Sequence, residues 1–106
     1  MDNFKIIYKI LSVLEKNLDY TSFDVENIAP EILGITKERR DALLIQLVKN
    51  GYVEGVTYKY YIDEDYPRVT DMSHIAITLS GLEYLSENCL MRKAMEAMKT
   101  IIPVIK

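Results

Sequence analysis

Two short junctions constrain the fold of this chain more than any other part of its sequence. At the first, a leucine-rich run ends at Gly51 and a run of aromatic and β-branched residues begins; at the second, Thr78 and Gly81 follow a short β-branched run. Glycine adopts the left-handed backbone conformation needed between a helix and a strand, and threonine caps helix N-termini. Gly81 also lets its helix approach a neighbour closely. The junctions therefore predict a helix that leads into a strand, and a returning strand that leads into a helix.

Apolar residues at helical spacing predict two helices in the first third of the chain. The first covers residues 3–18, with Asp2 as its N-cap. Residues 23–33 form a short second helix, which Pro30 kinks or restarts because it cannot donate its amide, and which Gly34 ends. The stripe that we expect to be buried on the first helix consists of Phe4, Ile7, Tyr8, Leu11, Leu14 and Leu18.

A third helix is predicted over residues 36–50, between the N-cap Thr36 and the stop at Gly51. Its buried stripe is expected to contain Leu43, Leu44, Leu47 and Val48. The residues expected to lie largely off that stripe are Lys37, Arg40, Asp41 and Ile45. Most of the charge on this helix is therefore predicted to face solvent.

The segment after Gly51 is rich in the residue types that favour strands. Residues 52–62 are predicted to form a strand with a break near Gly55, and residues 74–77 the strand that returns. Residues 63–73 are polar and contain a proline, which indicates a loop. Together these runs predict a β-hairpin with a long loop.

Two further helices complete the prediction. One covers residues 78–87 and is capped by Thr78, or by Ser80 with Glu83 in a capping box; the other covers residues 88–102. Three helices followed by a two-stranded wing is the winged-helix order, a variant of the helix-turn-helix. The predicted fold class is therefore mainly α with a small β-hairpin (α+β). A single domain fills residues 1–106, with a core over about 3–87 and an extra C-terminal helix.

The residues around both junctions carry a resemblance to known proteins. Residues 43–53 look like the end of a winged-helix recognition helix, and residues 75–85 are similar to the step that closes the wing in many bacterial winged-helix regulators. The whole chain resembles the YjcQ-like family of small proteins from Gram-positive bacteria and their phages, through the helix at residues 5–11, the acidic tyrosine-rich wing and the second junction. The resemblance implies a winged-helix fold and a prophage setting. It implies no established activity, so it transfers no functional residues.

Charge is unevenly distributed along the chain. The net charge is −3, which disfavours indiscriminate binding of nucleic acid by the whole surface. Residues 36–50 nevertheless carry four basic and two acidic residues, whereas residues 52–71 have a net charge of −3. If the domain contacts DNA, the third helix is therefore expected to make most of the contacts.

The third helix provides the candidate DNA-binding residues. The N-terminal part of a recognition helix enters the major groove, and arginine there can bond guanine or hold phosphate. The candidates at this end are Lys37, Arg39 and Arg40, and those further along are Gln46 and Lys49. The alternative is that these charges only solvate an exposed helix and pair with Glu38, Asp41 or the acids of residues 24–31. The sequence leaves both interpretations open.

No pattern in the sequence predicts catalysis. His74 has no other metal ligand at suitable spacing, and Cys89 has no partner cysteine. The acidic run at residues 63–65 lacks the glycine and distal glutamate of a calcium loop. There is no glycine-rich phosphate loop and no nucleophile with a base. We therefore expect no enzyme activity, no metal and no small-molecule cofactor.

A protein-interaction module of the same fold is the alternative function. Tyrosines at 58, 60 and 61 can anchor a partner, and the C-terminal helix can form a homodimer. A lone cysteine fits the cytoplasm, and no apolar run approaches the roughly 20 residues that span a bilayer, so no membrane partner is expected.

Overall fold

A computed structural model describes residues 2–88 and Lys93. These residues form a small winged-helix-like α+β fold, which confirms the predicted fold class. Its α-helices are α1 (Asn3–Lys16), α2 (Pro30–Leu33), α3 (Lys37–Lys49) and α4 (Leu79–Glu87), with 3₁₀ turns at Asn17–Asp19 and Val25–Ile28. Its strands are β1 (Val53–Glu54), β2 (Thr57–Lys59), β3 (Arg68–Asp71) and β4 (Ala76–Ile77). None of the helices within this part of the chain is long and apolar enough to cross a membrane.

Helix α1 lies at the centre of the core. Its N-cap is Asp2, as predicted, and it packs against α4, β4 and the 3₁₀ turn at Val25–Ile28. The apolar stripe was only partly predicted, because Phe4 and Leu18 are exposed whereas Ile6 and Ile10 are fully buried. Phe4 and Leu18 lie at the two ends of the helical segment, where no element among the described residues covers them. The buried members of the whole core are Ile6, Tyr8, Ile10, Leu11, Leu14, Ile28, Leu33, Leu44, Leu47, Val53, Val56, Ile75, Ile77 and Leu85.

The second helical segment is interrupted where its proline predicts. The 3₁₀ turn at Val25–Ile28 ends before Pro30, which occupies the first position of α2, where its missing amide hydrogen has no intrahelical acceptor. Gly34 then ends α2 with φ at +71°. Thr36 caps α3 by accepting a hydrogen bond from the backbone amide of Arg39 at 3.1 Å. These local signals place the start of α3 as predicted.

The wing has more strand than the sequence predicts. Strand β1 pairs with β4 at its base, and β2 pairs with β3 further out, with both pairs antiparallel. The predicted break near Gly55 is confirmed, but the prediction of a loop over residues 63–73 is wrong for β3. In β3, Val69 is paired with Tyr58, and the hydroxyls of Thr57 and Thr70 lie 2.9 Å apart. Cross-strand contacts of this kind stabilise a strand whose own residues are mostly polar.

The base of the wing is joined to α4 by the second junction. The amide of Thr78 donates to the Tyr52 carbonyl, and its hydroxyl donates to the Gly51 carbonyl and accepts from the Gly81 amide. Thr78, and not Ser80, is therefore the N-cap of α4. A Cβ atom on Gly81 would lie 2.4 Å from the Tyr52 carbonyl oxygen, so the predicted close approach is confirmed. Gly51 has φ at +77°, the left-handed conformation that the first junction predicts.

Candidate nucleic-acid interface

Helix α3 presents one continuous side to solvent. Each residue of an α-helix is rotated by about 100° from the one before it, so positions three, four and seven apart share a side. The exposed residues on this side, the α3 outer face, are Glu38, Arg39, Ala42, Gln46, Lys49 and Asn50. It thus contains three of the predicted DNA-binding residues and only one acid.

Arg39 is held at the N-terminal end of the α3 outer face. Its Nε donates a hydrogen bond to Oδ1 of Asn3, at the start of α1, over 2.8 Å. Within residues 2–88, neither terminal nitrogen of its guanidinium has a hydrogen-bond partner. The side chain is therefore oriented at Nε and can still donate through Nη1 and Nη2.

Gln46 and Lys49 occupy the other half of the α3 outer face. The side-chain amide of Gln46 is exposed and makes no hydrogen bond to any other described residue. Lys49 donates from Nζ to the hydroxyl of Tyr60 at 3.3 Å, which connects the end of α3 with the wing. Both side chains can reach a ligand that lies along α3, Lys49 after leaving Tyr60.

Lys37 precedes the α3 outer face and is paired within its own helix. Its Nζ lies 2.8 Å from Oδ2 of Asp41, one turn further along. The Lys37 side chain remains 58% exposed, so this pair is weak and a stronger anion can replace it.

The expectation that Arg40 and Asp41 lie off the buried stripe is wrong. Their side chains are only 10% and 1% exposed, and Arg40 contacts Oδ1 of Asp41 through Nε at 3.2 Å and Nη2 at 3.1 Å. Nη1 of Arg40 points to the Ile28 carbonyl at 3.5 Å, because the 3₁₀ turn covers this side of α3. Ile45 is buried as well. Arg40 therefore does not present its guanidinium to a ligand, unlike its neighbour Arg39.

The outer loop of the wing, residues 60–67, forms a second distinct surface, which we call the wing tip. Tyr60 is 66% exposed, and Ile62 is fully exposed. Tyr58 is half-buried and meets the ring of Tyr60 edge-on, with centroids 6.1 Å apart, so the tyrosines of the wing differ in exposure. The tip also exposes two acids, at positions 63 and 65, while its third acid is paired with Arg68. The wing tip is therefore apolar and acidic.

Among the described residues, those singled out for metal or catalytic chemistry do not converge on a site. His74 is exposed, and its Nδ1 lies 3.1 Å from the hydroxyl of Ser73. The amide and hydroxyl of Ser73 both donate hydrogen bonds to Asp71 and thereby lower its pKa, so these residues form a hydrogen-bonded turn. No group of three metal-ligating side chains occurs in the described part of the chain. Cys89 lies outside the described residues. The helix predicted over residues 88–102 also lies outside them, except for Asn88 and Lys93.

A comparison with protein families decides the relationship of this chain. A family model described as "YjcQ protein" matches residues 8–103. The chain belongs to the YjcQ family. This confirms the resemblance inferred from the sequence, and the match includes α3 and the wing. No match was found among curated proteins or among solved structures.

Two contacts of the α3 outer face were not predicted from the sequence. Asn3 bonds Arg39 from 36 residues away, and Tyr60 bonds Lys49 across the turn into the wing. The exposed side of α3 can be predicted from helical spacing alone. The residues that orient its cations depend on how α1 and the wing pack, which no local pattern indicates.

Proposed function

We propose that this chain is a winged-helix DNA-binding protein that acts in transcriptional regulation and places the α3 outer face in the major groove. The observation that carries this proposal is the grouping of Arg39, Gln46 and Lys49 on one exposed helix side that has Ala42 near its middle. The small side chain of Ala42 permits close approach of the helix to base edges. Recognition helices of this fold class read bases in this orientation, with N-terminal residues foremost.

The charge distribution determines how such binding must work. The whole chain has a net charge of −3, so long-range attraction to DNA is weak and the contacts are local. Three exposed cations, Lys37, Arg39 and Lys49, are available on or beside the α3 outer face. If all three neutralised a phosphate, the slope of log K against log salt would be about −3, since each contact contributes about −0.9. The acidic wing tip is expected to point away from the phosphates.

Fluorescence anisotropy with a random duplex, between about 50 and 200 mM salt, tests this proposal. We expect a slope between about −2 and −3 and a decrease of its magnitude by about 1 in Lys49→Ala. Lys16→Ala, which removes an exposed cation at the far end of α1, is the matched control and should leave the slope unchanged. Absence of binding by the wild-type chain at low salt would refute the proposal.

A second candidate function is a protein-interaction module that uses the wing tip. The observation in its favour is the full exposure of Ile62 beside exposed tyrosines, because large apolar side chains grouped at the surface mark interaction sites. A photo-crosslinking residue at position 62, compared with one at the outward-facing position 59, tests it in cell extract. One partner that is crosslinked at 62 and not at 59 supports this function; equal, diffuse crosslinking at both positions contradicts it.

The remaining features of the proposal follow from the sequence. We infer that the protein works in the cytoplasm, without a cofactor and without catalysis. A homodimer formed through residues 88–102 would match two half-sites on DNA. Size-exclusion chromatography with light scattering tests this dimer, and a strict monomer at high protein concentration would exclude it.

A further inference from the structure

We propose that Asn3 is a positioning residue that presents Arg39 to a guanine, so that the α3 outer face reads a G·C pair. This inference rests on the proposed DNA binding. Its structural basis is the 2.8 Å hydrogen bond between Nε of Arg39 and Oδ1 of Asn3. That bond joins the first residue of α1 to the first turn of α3, two elements that the chain separates by 36 residues.

The side chain of Asn3 is not needed as the N-cap of α1. An asparagine at the start of a helix commonly serves as its cap, but here Asp2 does so, since its carboxylate accepts from the Phe4 amide at 2.9 Å. Among the described residues, the Asn3 side chain bonds only Arg39. The role that the structure assigns to this exposed amide is therefore to hold the guanidinium.

The geometry of the bond leaves Arg39 with a two-donor edge that fits guanine. A guanidinium has five N–H donors in one plane, and Asn3 uses the one at Nε. The two terminal nitrogens of Arg39 keep coplanar donors, which match the adjacent N7 and O6 acceptors at the major-groove edge of guanine. Such a fork can also hold a phosphate, but Arg39 lies in the first turn of α3, the part of a recognition helix that meets base edges, and this position favours guanine. A neutral amide also holds Arg39 without cancelling its charge.

The first arm of the test needs no DNA. In a ¹⁵N NMR spectrum of the full chain, the Nε–H of Arg39 should be visible and exchange slowly with water in the wild type and in Asn27→Ala. Asn27 is an exposed asparagine whose side chain bonds no described residue, and it is the matched control. Asn3→Ala should accelerate this exchange to the rate of an arginine side chain in a short unstructured peptide. Equal exchange in wild type and Asn3→Ala would overturn the inference.

The second arm selects binding sites from a random duplex library. The wild type should enrich a guanine at one position, and Arg39→Ala should lose about 10-fold or more of the preference for it. Asn3→Ala should lose about 3-fold or more of the same preference while its salt slope stays unchanged, because the charge of the protein is unchanged. Asn27→Ala should keep the wild-type preference.

The outcomes separate the inference from the proposed function. If the wild type binds DNA and Asn3→Ala keeps the full guanine preference, the inference fails and DNA binding stands. If Arg39→Ala weakens binding equally on every sequence, Arg39 contacts phosphate and the inference also fails. If the wild type binds no duplex at low salt, both fail together.

Discussion

Replacing Asp41 with asparagine tests whether a buried ion pair stabilises the junction between α3 and the 3₁₀ turn at Val25–Ile28. The Asp41 carboxylate accepts from Lys37 on one oxygen and from Arg40, twice, on the other. Asp41→Asn keeps the size of the side chain and removes its charge. The Arg40 guanidinium would then have only neutral acceptors, the new amide oxygen and the Ile28 carbonyl at 3.5 Å, which is too long for a strong hydrogen bond. A cation would remain buried without a counter-charge.

The expected loss of stability can be worked from the exposure of the three side chains. Removing one partner of a buried pair costs about 3–5 kcal/mol, and we take about 3 because the Arg40 side chain keeps 10% of its exposure. Loss of the Lys37 contact adds about 0.2–1 kcal/mol, since that side chain is 58% exposed. Asp41→Asn should therefore lower the free energy of unfolding by about 3–4 kcal/mol, out of about 5–15 for a typical domain.

Urea unfolding followed by circular dichroism at 222 nm measures this loss. Lys37→Met removes only the exposed contact and should cost less than about 1 kcal/mol. The double variant Arg40→Met/Asp41→Leu removes both buried charges and should be more stable than Asp41→Asn, because no unpaired charge is left. It also keeps the test decisive if Asp41→Asn does not fold. A loss below about 1 kcal/mol in Asp41→Asn, or a double variant less stable than it, would refute the reasoning.

Three further predictions concern stability. Gly81→Ala should cost about 2 kcal/mol in the same urea assay, because a Cβ 2.4 Å from the Tyr52 carbonyl and 2.5 Å from Cγ1 of Ile77 outweighs the gain in helix propensity; an equal or higher stability would contradict the close approach of α4. Burial, followed by the neighbouring Tyr52 hydroxyl, raises the pKa of Tyr84 above its ordinary value near 10, so the unfolded chain ionises first. The stability that this contributes is complete below about pH 10 and is lost as pH rises through the folded pKa; Tyr84→Phe should flatten that decline in thermal melts, and an unchanged decline argues against it. Thr36→Ala should cost about 1 kcal/mol by removing the N-cap of α3, and Thr36→Ser should recover most of it; full stability in Thr36→Ala would mean that the cap is not needed.

The parts of the fold that sequence predicts well are those that adjacent residues determine. Gly51 and Gly34 adopt the left-handed conformation, and Thr78 caps the helix that directly follows it. Strand β3 (Arg68–Asp71) could not be found in the same way. Its residues are mostly polar and follow Pro67, and it becomes a strand because β2 lies beside it. Pairing between segments is information that a local pattern does not contain.

The candidate site divides along the same line. Helical spacing alone places Arg39, Gln46 and Lys49 on one exposed side of α3. The same spacing also places Arg40 on the buried side, because it precedes Leu43, Leu44 and Leu47 by three, four and seven residues, so the expectation that it lies off the stripe misread the pattern. What no pattern within α3 indicates is the element that covers this side, the 3₁₀ turn ending at Ile28. The adjacent acid, Asp41, was the one local sign that Arg40 has a counter-charge within the protein. Glu38 stands beside Arg39 in the same way, so an adjacent acid alone does not indicate which of the two arginines is buried.

The two candidate surfaces meet at a single contact, the hydrogen bond from Lys49 to Tyr60. On one side of it lie the cations of α3, and on the other lies a wing tip that exposes Ile62 between its tyrosines and its acids. A polyanion is attracted to the first surface and repelled by the second, so a bound duplex has to lie toward the Arg39 end of α3. The wing tip then stays accessible to a protein while DNA is bound. The two proposed functions are therefore compatible in one molecule. Because Lys49 bonds Tyr60, we expect a ligand at one surface to affect binding at the other through this contact.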